Sequence, residues 1–580
     1  MAHVIPLDEF ITDEWYPGFK PAFDHAPYYV EPFRTFNKQD EERFWFLDFH
    51  WPRGLTPLGL IWNEDGYAWG TQYAAENLPL PPGRGIGVRM AGVHTYASPV
   101  DLTSGVQIAE RAQRMGPRLG HFLENFDQIW EDRRDEVERG WQHFLSLDPS
   151  SMSLEELSQM LVDARVFHKR AFEIHFEVMY PMLVNYLGFY GLCGELGVDQ
   201  SQIGKFLQGY DTKIMETDRE LSKLAAAARA SGLRDTFTAT DAAALGSTLD
   251  SAGGAGGAWM TQFRDFLAVY GYRTEGSCDV ALPSWNEDPT PALGMIKSLL
   301  LQEEEHDFEK ARAAAIEERE TAIDAARSTL TREEQEAFDA GVASCQRVNF
   351  PWWQDDHNFY IDLRVSLPLR WAARAIAERV GGEPDDGLFL FWPEITAVAS
   401  GDKDYGSFRG IVEDRKQYFD HWHAKRASMP KVLGTVPEAV TDPILIEIFG
   451  LNEHFLNGIK ALGSGEEIKT LTGLPASKGK ARGVARVLND ADELARINPG
   501  EILVCESTSP NWTPAFAKIA ACVCDGGGML SHAAIVGREY RVPTVTAVGL
   551  ATVAIADGDE IEVDGDAGTV TIFKQAKVEG

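Results

Sequence analysis

The chain has 580 residues and a formal net charge of −34 at pH 7. That length exceeds one ordinary domain, and that charge excludes a phosphate-backbone ligand, which needs a basic surface. No apolar run reaches transmembrane length and no basic-then-apolar leader opens the chain, so neither nucleic acid nor a membrane is expected as partner.

Residues 1–103 mix aromatics, prolines and short apolar runs and read as a mixed α/β part, with Phe44-Trp45-Phe46-Leu47-Asp48-Phe49-His50-Trp51-Pro52-Arg53 as its densest segment. From 104 to 460 the pattern is helical, with apolar residues three and four apart in 153–198 and 356–380. Residues 301–347, from Glu303-Glu304-Glu305 through Arg312, Arg319 and Arg327, alternate acid, base and alanine and read as a solvated helical hairpin broken near Ser328-Thr329. Gly253-Gly254-Ala255-Gly256-Gly257 lacks the Lys-Ser/Thr and the preceding strand of a nucleotide loop, and reads as a flexible helix connector. A linker at 461–469 precedes a compact β/α domain at 470–580. The six cysteines (Cys193, Cys278, Cys345, Cys505, Cys522, Cys524) are scattered without zinc-type spacing, which suits core packing in a reduced, cytoplasmic setting; no metal is expected. Cys522 and Cys524 share one face of an apparent strand.

Chemistry concentrates in Gly526-Gly527-Gly528-Met529-Leu530-Ser531-His532-Ala533-Ala534-Ile535-Val536-Gly537-Arg538-Glu539-Tyr540. One histidine sits between a glycine run and an apolar helical start. Glycines let backbone approach a phosphoryl group, and a helix start offers unpaired N–H groups and a positive dipole end. An imidazole near neutral pH is largely unprotonated and nucleophilic.

This stretch resembles the phosphohistidine segment of the phosphoenolpyruvate-utilising enzymes, Gly-Gly-x-Thr-Ser-His-x-Ala-Ile-Val-Ala-Arg-Glu. Gly527, Gly528, Ser531, His532, Ala534, Ile535, Val536, Arg538 and Glu539 fall on matching positions, and Leu530 replaces the threonine. The likeness extends over the segment from Gly473 to Val487 and over Thr508-Ser509-Pro510-Asn511-Trp512-Thr513-Pro514. Weaker likeness to the acceptor-binding part of rifampin phosphotransferase lies in Tyr270-Gly271-Tyr272-Arg273, Asp279 to Pro289, and Asp355-Asp356-His357-Asn358-Phe359-Tyr360. The resemblance implies a multidomain α+β protein, in which a mostly α-helical acceptor-binding body precedes a C-terminal β/β/α swivelling phosphohistidine domain.

No pyruvate-binding barrel follows that domain and no nucleotide-binding domain is recognisable before it. The arrangement is similar to the histidine-bearing subunit of phenylphosphate synthase or 4-methylphenyl phosphate synthase. The resemblance then implies that a separate ATP-binding subunit uses ATP and Mg2+, which this chain does not bind, to phosphorylate His532. The domain swings, and the hydroxyl of a small aromatic acceptor takes the phosphoryl group. Ser531, Gly527, Gly528 and Thr508 are expected to cradle the phosphoryl oxygens, with Arg538 as a cation. His357 is expected as the base, oriented by Asp355 or Asp356, and Arg273 as a stabiliser of the arriving phosphate. His50 and Arg53 form a second candidate cluster, and Phe350, Trp352, Trp353, Phe359 and Tyr360 candidate walls. The alternatives are an antibiotic phosphotransferase with a large polyketide acceptor, a phosphocarrier serving another protein, and a degenerate structural member.

Overall fold

Two sheets flank a helical body, and the ends of their central strands meet. The computed structural model describes residues 3–12, 14–18, 35–274, 276, 278–301, 308–440, 445–446, 448–464, 468–509, 512–528 and 531–574. The first sheet contains β1 (His3–Ile5), β2 (Phe44–Leu47), β3 (Gly83–Ala91), β4 (His94–Asp101) and β5 (Val432–Val436), in the order β1-β5-β2-β4-β3. β2 is buried along its whole length, as expected of Phe44-Trp45-Phe46-Leu47 at the sheet centre. Its antiparallel partner β5, with Phe46 opposite Val432, comes from a region whose sequence reads as helical. The N-terminal part and the end of the body therefore share one sheet.

The body is built around two long helices, Gly105–Leu145 and Leu154–Glu195. The second starts at a capping box of Ser153 and Glu156. Around residues 171–183 it is buried on nearly every face, so it carries polar His175 into the interior. Helices Phe350–Tyr360 and Leu367–Arg379 pack beside it. The charged hairpin is two helices, Phe308–Ser328 and Arg332–Arg347; Glu303, Glu304 and Glu305 lie outside the described residues. Gly253 has φ +62° and ends one helix, while Gly254 to Gly257 form the first turn of the next, Gly254–Tyr270. The run is thus a one-residue break between helices.

Helix Glu453–Ser464 overlaps the start of the expected linker, of which 465–467 lie outside the described residues. The second sheet holds β6 (Thr470–Thr472), β7 (Leu474–Ser477), β8 (Lys480–Val487), β9 (Ile502–Cys505), β10 (Ala521–Cys524), β11 (Thr544–Thr546), β12 (Glu560–Asp564) and β13 (Thr569–Lys574). Its order is β6-β13-β12-β8-β9-β10-β11-β7, with β8 to β11 mutually parallel. Parallel neighbours end on the same side, so the loops after β9 and β10 emerge together. Ligand sites of parallel sheets lie at such carboxyl ends. No helix among the described residues is long and apolar enough to cross a membrane.

Candidate active site

His532 opens the helix His532–Tyr540, with Ser531 at the N-cap in extended conformation. The loop after β9 brings Thr508 Oγ1 to 2.8 Å from its Nδ1, and Thr513 Oγ1 lies 3.4 Å from Nε2. A ring whose Nδ1–H donates to Thr508 carries its lone pair on Nε2, where the contact is long and weak. Burial, followed by the positive charge of Arg273, lowers the imidazole pKa to about 3. The ring is therefore neutral at pH 7. The Ser531 hydroxyl makes no cap hydrogen bond and is buried without a partner, so its oxygen is available to a ligand. Gly527 has φ +90°, and a Cβ there would lie 2.6 Å from Ser531 Oγ, which is why a side chain does not fit.

Across from His532 the body presents a carboxylate–imidazole pair. Asp48 leaves the end of β2; its Oδ1 accepts from the His50 backbone N–H (2.7 Å) and lies 2.8 Å from His50 Nδ1. Tyr67 donates to Asp48 Oδ2 at 2.6 Å from the π-helical stretch Asn63–Thr71, a wide helical form common at functional sites. Burial and then Asp48 push the Tyr67 phenol well above its usual pKa, so it remains a donor. With Nδ1–H given to a buried carboxylate, His50 Nε2 is an acceptor.

One cleft joins these groups. Its lining includes Phe49, His50, Trp51 and Arg53 from the loop after β2; Asp279, Leu282 and Asp362 from the body; and Thr508, Trp512, Ser531 and His532 from the C-terminal domain. It encloses about 1170 Å³ of atom-free space including its open mouth. Burial pushes the Asp279 carboxyl up to about 6 against the Ala281 N–H, Arg53 and Arg370.

Glu506, between β9 and Thr508, ties the two domains. It pairs with Arg426 and Lys431 of the body. Burial would raise its carboxyl, but these two cations outweigh it and hold the pKa at about 2. The Gly527 N–H donates to the Phe449 carbonyl (3.1 Å), and a Cβ on Gly526 would lie 2.7 Å from the Phe49 ring.

Several expected site residues lie elsewhere. His357 is fully buried and does not line the cleft. Its Nδ1 lies 2.9 Å from the Trp353 carbonyl oxygen and its Nε2 3.2 Å from Asp362 Oδ2, so the orienting carboxylate is neither Asp355 nor Asp356. Burial raises the Asp356 carboxyl, and Asp356 does not line the cleft. Trp353 is buried and stacks on His357, with ring centroids 3.9 Å apart. Trp352 donates through Nε1 to the Asp211 carbonyl at 2.9 Å, and Tyr360 packs under Arg364. Helical periodicity marks such residues as packed without naming the face, so the apolar walls fall instead to Phe49, Trp51, Leu282, Ile448 and Trp512. Phe350 and Phe359 are likewise outside the lining. Arg538, two turns along its helix, donates to the Ala476 carbonyl at 3.1 Å and lies against Gly204, away from His532. Gly527 and Gly528 are buried outside the cleft lining, and the Gly527 N–H is committed to Phe449. Arg273 is buried and stacked over Trp285 at 4.3 Å, with its charge reaching His532. Met529, Leu530, Pro510 and Asn511 lie outside the described residues.

Sequence reasoning missed Asp48, Tyr67, Asp362 and Glu506, and gave Asp279 no role beyond heading a segment of likeness. For Asp48 a signal existed: Asp48 and His50 stand two apart at a strand end, where alternate residues share a face. The cysteine reading missed a neighbour as well. Cys505 on β9 joins Cys522 and Cys524 on β10 in a buried group, with Sγ separations of 3.6 Å (Cys505–Cys524) and 3.7 Å (Cys522–Cys524).

Comparison with known proteins matches residues 497–568 to the PEP-utilising enzyme mobile domain and residues 174–350 to the rifampicin phosphotransferase fourth domain. The first segment contains Thr508, Ser531 and His532; the second contains His175, Arg273 and Asp279. Chondramide synthase cmdD of Chondromyces crocatus is 29% identical over 557 residues, 92% of this chain and 14% of that protein. The uncharacterized phosphotransferase YvkC of Bacillus subtilis (strain 168) is 27% identical over 71% of this chain and 48% of its own length. The rifampicin phosphotransferase of the same organism is 29% identical over 53% of this chain and 34% of its own length. The chain thus spans less than half the length of these curated relatives.

Proposed function

We propose that this homologue of the rifampicin phosphotransferases, which carries a PEP-utilising mobile domain, transfers a phosphoryl group from His532 to a hydroxyl of an aromatic acceptor held in the cleft, giving an aryl phosphate. The observation that carries the reading is the single cleft lined by both His532 and His50, the latter backed by Asp48. A phenol or p-cresol type acceptor remains the first choice, since Phe49, Trp51 and Trp512 supply aromatic walls.

In the acceptor step, His50 Nε2 takes the proton of the acceptor hydroxyl, whose pKa in a phenol is near ~10. The oxygen forms a bond to phosphorus as the bond from phosphorus to His532 Nε2 breaks, and its electron pair returns to the ring. Such transfers depend on positioning and charge stabilisation. In this step Ser531 Oγ and the first N–H groups of the helix His532–Tyr540 hold the phosphoryl oxygens, and the charge of Arg273 favours them. His50 replaces His357 as the proposed base because His50 is 28% exposed in its side chain, whereas His357 is sealed.

ATP with Mg2+ is the proposed source, on a separate ATP-binding subunit. Among the described residues Gly253 is a one-residue break and Gly254 to Gly257 are helical, continuing into Ala258 and Trp259, so the run does not fit a nucleotide triphosphate.

The test is reverse loading. The purified chain is incubated with phenyl phosphate and 4-methylphenyl phosphate, and intact mass is read for one acid-labile phosphoryl increment. The expected result is labelling of wild type and none of His532→Ala. Labelling that persists in His532→Ala overturns the phosphohistidine route.

The spread of the lining, from Arg53, Gln354 and Asn358 on the body to Asn489 and Asp490 on the C-terminal domain, favours a second reading. On that reading the acceptor is a larger hydroxylated molecule, such as a polyketide antibiotic. A panel of larger aryl phosphates loading His532 while phenyl phosphate fails supports it. A phosphocarrier serving another protein is disfavoured, because a carrier does not need the body's own residues around its histidine.

A further inference from the structure

We propose that His175, His357 and Asp362 form a binding site for one divalent transition-metal ion, of the zinc, manganese or ferrous class, at the inner wall of the cleft. Helix Leu154–Glu195 contributes His175, helix Phe350–Tyr360 contributes His357, and Asp362 follows directly. Their ligand atoms all lie within 4.8 Å of one another, with His175 Nδ1 at 3.1 Å from Asp362 Oδ1 and His357 Nε2 at 3.2 Å from Asp362 Oδ2. Their side chains are 9%, 0% and 10% exposed, in the order His175, His357, Asp362.

The three groups converge in an arrangement that suits a cation. His357 Nδ1 faces the Trp353 carbonyl, so the proton of the neutral ring belongs there and Nε2 turns a lone pair toward a carboxylate oxygen. His175 Nδ1 and Asp362 Oδ1 lie 3.1 Å apart, both buried, in an orientation poor for a hydrogen bond between them. Two imidazole nitrogens and a carboxylate thus converge in a dry place, where a metal cation among them offsets the cost of burying the carboxylate charge. The surroundings also match a metal ligand: a ligating imidazole characteristically gives its other N–H to a carbonyl, and the Trp353 ring stacks on His357 and fixes its plane.

Imidazole ligands favour zinc or ferrous ions over magnesium or calcium, the carboxylate also admits manganese, and a set of two histidines and one carboxylate leaves coordination positions open. Asp362 lines the cleft, so an open position faces the space shared with His532. The binding site stands on this geometry alone. Its role rests on the function proposed above: an ion there polarises the acceptor oxygen and lowers its pKa, easing deprotonation by His50.

The test uses the full-length chain, stripped with chelator and desalted. It is titrated with Zn2+ and Mn2+, and with Co2+, whose visible absorption reports its ligands. We expect one equivalent bound, a cobalt spectrum of nitrogen and oxygen ligation, and a raised Tm on loading. Asp362→Asn, which preserves shape, is expected to weaken binding by ~100-fold or more, beyond the usual cost of outer-shell losses. His532→Ala should bind metal normally, which separates this site from the phosphohistidine reading. No stoichiometric binding by folded wild type overturns the proposal and leaves a protonated histidine–aspartate pair. A thiolate-to-cobalt charge-transfer band also overturns it, by placing the ion at Cys505, Cys522 and Cys524.

Discussion

The Arg426 guanidinium grips the Glu506 carboxylate across the domain boundary, with Nε 2.9 Å and Nη2 2.5 Å from Oε2. The same Nη2 donates to the Asp48 carbonyl at 2.5 Å, so the contact that docks the C-terminal domain also braces the residue that orients His50. Docking and site assembly are thereby one event.

Removing one partner of this buried pair strands the other charge, at a cost of about 3–5 kcal/mol. Arg426→Ala is expected to release the C-terminal domain, read as a larger radius of gyration by small-angle scattering and faster proteolysis near residues 461–469. An unchanged radius would mean that the apolar contacts, Phe49 on Gly526 among them, hold the domain without it. The Glu506 pKa is depressed, so its contribution is complete above the ordinary carboxylate range and is lost as pH falls to about 2. Docking should therefore be insensitive to pH near neutrality.

Thr508 holds the His532 ring by one hydrogen bond at Nδ1. Thr508→Val keeps the shape and removes the hydroxyl, a loss of about 1–1.5 kcal/mol and so roughly tenfold in the loading rate of His532. Thr508→Ser should restore most of it. Equal rates in all three proteins would dismiss the contact as incidental.

The pH dependence of loading follows from the same ring. His532 remains neutral down to about 3, whereas a free imidazole protonates near 6.5. Initial labelling rates should not break at the free-imidazole value. Between 6.5 and about 3 the unfolded chain holds a proton that the folded chain refuses, so this residue makes stability fall as pH falls through that window. A clear rate break near 6.5 would show that the ring is not shielded.

His50→Ala and Asp48→Asn should slow transfer to the acceptor by about 10²–10⁴-fold while leaving His532 phosphorylation nearly unchanged. Single-turnover chase of phosphorylated chain with acceptor separates the two steps. Equal slowing of both would remove the pair from the acceptor step.

Gly527→Ala places a Cβ against Ser531 Oγ in a left-handed conformation. It should lower loading of His532 and cost about 1–3 kcal/mol locally. Hydrogen exchange at residues 531–540 is the readout.

The contrast between His532 and His357 marks what was legible before the fold was known. His532 announces itself because everything it needs nearby is contiguous: glycines, an N-cap serine, an apolar helix. The Thr508 loop was legible for the same reason, although only the parallel pairing of β9 and β10 sets its hydroxyl beside the ring. His357, Trp352, Trp353 and Tyr360 misled because helical spacing places residues on a face without stating what covers it.

By itself the sequence determined the local features: a histidine at a helix start behind a glycine run, and a helical body followed by a β/α domain. Only the tertiary structure decided which groups face that histidine. The segment leading into β5 brings Arg426 to the Asp48 carbonyl and Lys431 to Glu506, and two helices distant in the chain gather His175, His357 and the Asp362 that follows it. The physical reason is range. Capping, turn conformation and strand alternation act within a few residues, whereas burial, pKa shifts and charge pairing are set by neighbours far away in the chain.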